Sequence, residues 1–301
     1  MIQDIKITFL GTADAIPTAR RNHTAILLSY ANENILVDCG EGTQRQFRLA
    51  GLNPLKLTRI LITHWHGDHV LGLPGLFQTL AFQGYNKTLH LFGPKGTKKY
   101  VDEVLNTFVF AGKLDVKIEE VSNKKFFETK DFYLEAKSMS HGCPCNAYCF
   151  VKKGSLRIDK AKLKKAKITP GPILQEIKQG KDIIFNGKKF KAKDLTYKAD
   201  EKKICFVLDT KLNPDVVDFA KNSDLLISEA GFSSELEEKA NEYKHLTSKQ
   251  AAEIAKKAKV KKLVLTHISQ RYEKNLGKIL NEAKKYFKNS FLVKDLDVVK
   301  I

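Results

Sequence analysis

The chain has 301 residues, 43% of them hydrophobic, enough for one large or two ordinary domains with an ample core. No apolar run approaches the roughly 18 residues of a membrane helix, and the start Met1-Ile2-Gln3-Asp4 lacks the basic region of a signal peptide. A cytoplasmic protein is therefore expected, in which five cysteines, an odd set, favour free thiols over a disulfide framework, and a formal net charge of +18 points to an anionic partner.

In chain order, short apolar runs bounded by turns predict strands at Ile5–Leu10, Thr24–Ser29 and Ile35–Asp38, and a helix at Thr43–Ala50. The run Arg59-Ile60-Leu61-Ile62-Thr63 reads as a buried strand and feeds His64-Trp65-His66-Gly67-Asp68-His69, three histidines and an aspartate within six residues. Neutral imidazole and carboxylate are the usual zinc ligands. The spacing lets His64 and His66 grip one ion from one side of the loop while Asp68 and His69 turn towards a second. Two ions roughly 3.5–4 Å apart can activate water and stabilise a leaving oxygen in phosphodiester or acyl hydrolysis. The bland alternative is a histidine-rich surface turn without metal. The strand before the motif and the partners further along weigh against it.

Helices at Leu76–Phe82 and Thr97–Thr107 flank a strand at Leu89–Phe92. A strand at Phe132–Ala136 then leads to His141, and Cys143-Pro144-Cys145 beyond it reads as structural thiols. Between Lys152 and Lys203 lie 17 Lys+Arg against 6 Asp+Glu, a net +11 over 52 residues. The densest part, Lys160 to Lys167, includes Lys162, Lys164 and Lys165. Such a stripe, poor in aromatics, suits phosphate-backbone contacts that set position without reading sequence; a solvated lysine-rich surface is the alternative. Thr169-Pro170-Gly171-Pro172 breaks regular structure within it. Asp209 ends a strand at Ile204–Leu208, and His267 ends another at Leu263–Thr266. Helices are expected at Ser248–Lys259 and Glu273–Phe287. His141, Asp209 and His267 thus share the C-terminal ends of strands, where layered sheet folds carry functional loops. Any one alone reads as a cap or turn residue; with His64, His66, Asp68 and His69 they form a set. His23 and His90 read as structural. Pattern alone gives a mixed α/β fold.

The ordered series His64/His66/Asp68/His69, His141, Asp209, His267 resembles the metallo-β-lactamase superfamily of binuclear zinc hydrolases. Other segments narrow the resemblance to the short form of the ribonuclease Z family of tRNA 3′-processing endonucleases. Thr8-Phe9-Leu10-Gly11-Thr12 followed by Pro17-Thr18-Ala19-Arg20-Arg21-Asn22 is similar to that family's opening strand and Pro-x-Lys-x-Arg-Asn loop. Leu36-Val37-Asp38-Cys39-Gly40-Glu41-Gly42-Thr43-Gln44 is similar to its second strand-turn-helix. The match runs from about residue 5 to 270. It implies an α/β fold, the four-layer αβ/βα metallo-β-lactamase sandwich, forming one domain over 1–301 with a flexible basic arm inserted at 152–203.

The resemblance further implies two Zn2+ per subunit: one held by His64, His66 and His141, the other by Asp68, His69 and His267, with Asp209 bridging. Glu229, in Ser228-Glu229-Ala230-Gly231, matches the Glu of the family's His-Glu-Ala-Thr motif. His245, in Lys244-His245-Leu246-Thr247-Ser248, matches the His of its His-Ser-Thr motif. Together they look like a proton-handling pair. Ser228, Gly231, Leu246 and Ala19 depart from those motifs, and Arg20 or Arg21 would supply the charge missing at Ala19. Arg20, Arg21 and Asn22 are then expected substrate contacts. Gly171 and Pro172 look like the Gly-Pro motif of the arm, an exosite that clamps the tRNA elbow and projects as helices and a turn with few core residues.

The implied partners are precursor tRNA and a second copy of the chain, a homodimer in which one subunit's arm holds the tRNA cut by the other. No membrane and no nucleotide cofactor are expected. The implied reaction hydrolyses one phosphodiester bond on the 3′ side of the discriminator nucleotide. A metal-activated hydroxide attacks phosphorus, oriented or deprotonated with help from Asp68, and His245, oriented by Glu229, protonates the departing ribose 3′ oxygen. A small-substrate hydrolase of the superfamily would use the same metals without needing the arm. A nuclease with a large inserted domain would need more than 52 residues. A non-enzymatic RNA-binding protein would have no reason to keep seven metal-type residues in order.

Overall fold

The structure, a computed structural model, describes residues 4–109 and 114–301. Its first sheet is built from β1 (Lys6–Gly11), β2 (Ala25–Tyr30), β3 (Glu33–Val37), β4 (Arg59–Leu61), β5 (Leu89–Gly93) and β6 (Val116–Glu120), closed at one edge by the late strand β18 (Val298–Lys300). Strands β1 to β3 are joined antiparallel, whereas β3, β4, β5 and β6 run parallel. Parallel neighbours need a crossover, and helices Leu73–Phe82 and Thr97–Thr107 supply two of them. Leu10, Leu27, Leu36 and Leu91 meet Phe47, Leu76, Phe77 and Val101 from the flanking helices in one buried cluster. Each fully buried Leu or Phe there contributes about 1.5–3 kcal/mol relative to exposure.

The second sheet contains β7 (Lys124–Glu128), β8 (Phe132–Met139), β9 (Cys145–Lys152), β14 (Lys202–Val207), β15 (Leu225–Glu229), β16 (Leu263–Thr266) and β17 (Ser290–Leu292). Strands β14 to β17 are parallel. Strands β14, β15 and β16 carry the continuous apolar runs Ile204–Val207, Leu225–Ile227 and Leu263–Leu265, because helices such as Ser248–Lys257 cover a face that an antiparallel sheet could leave to water. That helix opens with a capping box between Thr247 and Gln250. It stops two residues earlier than expected because Lys259 takes a left-handed φ of 53°. The helix expected from Glu273 begins at Leu276, since Gln270–Tyr272 coils into a 3-10 turn first.

The expectation of free thiols holds for Cys39, Cys143 and Cys145 and fails for Cys149 and Cys205, which form a disulfide with a Cα–Cα distance of 4.2 Å. They stand on β9 and β14, neighbours in the sheet. Counting cysteines cannot show that two of them, 56 residues apart, meet across a strand pair.

A second compact unit comprises Glu128–Tyr133 and Val151–Lys202. It holds β10 (Leu156–Ile158) paired with β13 (Thr196–Lys198), and β11 (Ile183–Phe185) paired with β12 (Lys188–Phe190). The β11–β12 hairpin turns through Asn186 and Gly187, at φ 50° and 76°, the double positive that a two-residue hairpin demands. Helices Lys160–Lys165, Ile173–Lys178 and Ala192–Leu195 complete the unit around Leu163, Ile168, Ile177, Ile183 and Leu195. The expectation of helices and a turn with few core residues is therefore corrected: the segment owns a small apolar core and two two-stranded antiparallel sheets, of which only β11–β12 is a hairpin. The lysine density hid the spaced apolar residues that build it. Among the described residues no helix is long and apolar enough to cross a membrane.

Candidate metal centre

Parallel strands deliver the cluster. His64 follows β4, Asp209 follows β14, Glu229 ends β15 and His267 follows β16, while His141 lies in the turn from β8 to β9. The His64–His69 loop is seated by close backbone approach: a Cβ on Gly40 would stand 2.5 Å from the Asp68 carbonyl oxygen, and one on Gly72 2.0 Å from that of Gly40. His267 takes a left-handed φ of 55°, a conformation in which histidine is enriched among the non-glycine residues.

His64, His66, His141 and Asp209 offer ligand atoms within 4.8 Å of one another, and so do Asp68, His69 and His267. Asp209 faces both groups. Its Oδ2 lies 3.6 Å from His64 Nε2 and 3.8 Å from His141 Nε2, and its Oδ1 lies 3.4 Å from His69 Nε2 and 3.2 Å from His267 Nε2. Asp68 Oδ2 is 3.3 Å from both His69 Nε2 and His267 Nε2. The outer ring nitrogens are held: His69 Nδ1 on Asp38 Oδ2 at 2.7 Å, His141 Nδ1 on the Lys244 carbonyl at 3.1 Å, His64 Nδ1 beside Thr63 Oγ1 at 3.1 Å. That pattern turns the inner nitrogens into acceptors aimed at a common centre.

The donor set fits a cation. His69 Nε2 and His267 Nε2 stand 3.2 Å apart, as do His141 Nε2 and His66 Nδ1, a spacing at which one ring donates to the other or both face a cation. His64 Nε2 and Asp209 Oδ1 are buried without a hydrogen-bond partner, a cost of about 1–3 kcal/mol each that coordination would remove. Titration tells the same story. Burial would raise the Asp209 carboxyl, yet His267, His69, His245 and His64 hold it well below the usual carboxylate range. Burial and the neighbouring His69 push His64 well below the ordinary imidazole value, which keeps it neutral. Burial opposes charging of His69 too, but Asp209, Asp38 and Asp68 drive it well above that value. Three carboxylates demand positive charge here, and a divalent ion supplies it more compactly than protons do.

His245 lies on the rim, its Nδ1 2.9 Å from Glu229 Oε2 and 3.8 Å from Asp209 Oδ2. Burial would lower it, but these two carboxylates push it up to about 10. Glu229 is fully buried, and its Oε1 accepts the Thr210 backbone N–H at 2.7 Å. The pair is thus a carboxylate-held imidazolium. His66, Asp68, His141, Asp209, His245 and His267 line a cavity of about 440 Å³.

The structure separates the other expected contacts. Arg20 is exposed. Arg21 is corrected from substrate contact to internal strut: only 3% exposed, its guanidinium donates to Thr12 Oγ1 at 2.7 Å and the Val293 carbonyl at 2.8 Å, beside Glu273 at 3.5 Å. Asn22 is half-buried and donates through Nδ2 to the Glu41 carbonyl at the surface. Two adjacent arginines look alike in a sequence, but the loop presents one and buries the next. Lys162, Lys164, Lys165, Gly171 and Pro172 are exposed in the second unit and take no part in the cluster.

Sequence reasoning missed Asp38. It is fully buried at a left-handed φ of 57°, accepts from the Thr63 backbone N–H and hydroxyl at 2.7 Å each, and holds His69. Its signal was an acidic residue directly after a parallel strand that neighbours the one leading to His64. Cys143 also stands closer to the chemistry than a purely structural thiol, with Sγ 3.8 Å from His66 Nε2.

The model of the anti-Pycsar protein Apyc1 family matches residues 5–149. Ribonuclease Z of Methanothermobacter thermautotrophicus is 36% identical over 298 residues, covering 99% of this chain and 97% of that protein. Ribonuclease Z of Listeria monocytogenes is 39% identical over 308 residues, with 99% of each covered. The chain belongs to the ribonuclease Z family. It is accordingly a hydrolase of the tRNA 3′-processing class. The crystal structure of human tRNase Z, short form, superposes with a TM-score of 0.70 at 26% identity, covering 98% of each chain. The metallo-β-lactamase fold protein YhfI from Bacillus subtilis superposes with a TM-score of 0.72 at 19% identity, covering 99% of this chain and 100% of that one. The two helix-flanked sheets are thus the expected metallo-β-lactamase α/β sandwich.

Proposed function

We propose that the chain is a two-zinc endoribonuclease that removes the 3′ trailer of precursor tRNA by cutting after the discriminator nucleotide. The observation that carries the reading is Asp209, with one carboxylate oxygen facing His64 and His141 and the other facing His69 and His267. His64, His66 and His141 would hold one ion, Asp68, His69 and His267 the other, and Asp209 both. When bound, the two ions supply Lewis acidity for the attacking water and for the charge growing on the phosphoryl oxygens. Asp68 accepts a hydrogen bond from that water and orients it. His245, kept charged by Glu229, delivers its proton to the ribose 3′ oxygen as that oxygen leaves. The tRNA then ends in a 3′-hydroxyl and the trailer in a 5′-phosphate.

The exposed lysines of the second unit, with Arg20, would hold backbone phosphates. A homodimer would let one subunit's arm hold the tRNA that its partner cuts. The test is purified protein with zinc, offered precursor tRNA bearing a 3′ trailer beside a small phosphodiester. The expected result is one cut, the stated end groups and two zincs per chain by elemental analysis. Hydrolysis of the small diester with intact precursor tRNA would overturn the reading.

A further inference from the structure

The cavity beside the metal centre has lining residues that the reaction does not use. Phe232, Tyr243 and Arg271 belong to it. The Arg271 guanidinium carbon lies 4.8 Å over the centre of the Phe232 ring. The Phe232 and Tyr243 rings are stacked, centroids 6.5 Å apart with an angle of 27° between planes. Phe232 is 7% exposed and anchors the group, whereas Tyr243 keeps 51% of its surface open and Arg271 is exposed as well. A tyrosine face and a guanidinium plane left open next to a phosphate-cleaving centre are the surfaces on which unstacked RNA bases settle. At about 440 Å³ the cavity falls within the range of small-ligand pockets, roughly 300–1,000 Å³.

Resting on the proposed function, we infer that Phe232, Tyr243 and Arg271 form a stacking platform for the base of the nucleotide immediately 5′ of the cut. The side is fixed by His245. Its ring centroid lies 5.9 Å from that of Phe232, and it is the group that protonates the 3′ oxygen of that same nucleotide. Holding the base on Tyr243 and Arg271, which pack on Phe232, therefore places the leaving oxygen by the acid. Stacking uses the π-face common to all bases, so the platform registers that a base is present and is indifferent to which one.

The test compares the parent with Tyr243→Ala and Arg271→Ala, both surface changes, on three precursor tRNAs: unmodified, abasic at the nucleotide 5′ of the cut, and abasic at the nucleotide 3′ of it. Zinc content and thermal midpoint check that each variant is folded and loaded. Each variant is expected to lose about tenfold in kcat/KM on the unmodified and 3′-abasic substrates. The 5′-abasic substrate should be slow with the parent and no slower with either variant. Equal losses on all three substrates would make the residues merely structural and overturn the platform. No loss on any, or coupling to the 3′ nucleotide instead, would overturn it too. A folded, zinc-loaded parent that cuts none of the three would sink the proposed function itself, and the platform with it.

Discussion

Asp209 is buried with His64, His69 and His267, and its carboxylate oxygens stand 3.2–3.8 Å from their ring nitrogens and from that of His141. In the second unit Lys162, Lys164 and Lys165 face solvent from a helix that buries only Leu163. Two unit charges 4 Å apart interact by about 1 kcal/mol in water but about 4 kcal/mol at the effective dielectric of a protein site. The same residue types therefore do different work in the two places. In the centre, each charge fixes the protonation of its neighbours and the cation they hold. On the second unit, charges act through the ion atmosphere of an approaching polyanion, an effect that salt weakens.

The contrast breaks first at Asp209. Asp209→Ala removes a carboxylate that faces both histidine groups and should abolish turnover with loss of bound metal. Full occupancy of two zincs in that variant would refute the shared-ligand assignment. Next comes His245→Ala, expected to slow cleavage by about 10²–10⁴-fold, as for loss of a general acid, with metal content and tRNA affinity kept. Metal loss in this variant would make His245 a ligand instead. A smaller effect is expected of Asp38→Asn, which keeps the shape but weakens the hold on His69. Metal affinity should fall about 10–100-fold, read by competition with a chelator, and unchanged affinity would reduce Asp38 to a packing role.

The smallest effect should come from replacing Lys162, Lys164 and Lys165 together by Gln. Because the second unit has its own apolar core, charge substitution tests it more cleanly than deletion. Precursor tRNA affinity should fall about tenfold at low salt, and the slope of log affinity against log salt should flatten by up to about 0.9 per lost phosphate contact. Cleavage of a small diester should stay at the parental rate. An unchanged slope would mean that these lysines are only a solvated surface.

Much of the fold and of the candidate centre was legible because metal-type residues sit at strand ends, and short apolar strands announce those ends. His64 to His69, His141, Asp209 and His267 were each found that way, and the structure brings them together. What stayed hidden depended on which way a side chain turns. Arg21 and Arg20 are chemically alike, and only the position of Thr12 and Val293 decides that Arg21 points inward. Asp38 looked like a strand terminator until its carboxylate was seen on His69. The core of the second unit escaped notice because Leu163, Ile168 and Ile177 are spaced among lysines, at intervals set by short helices and a break at Pro170 to Pro172.

The Cys149–Cys205 bridge joins the strand that leads into the basic segment to the strand that leads out of it. The two ends of that segment are thus covalently tied to each other. Lengthening a loop whose ends are already fixed costs little, about 0.6 kcal/mol per doubling in a flexible chain. The bridge therefore ties the two ends of the basic segment to each other whatever the number of residues between them, and its reduction should leave that pairing to the β9–β14 strand contact alone.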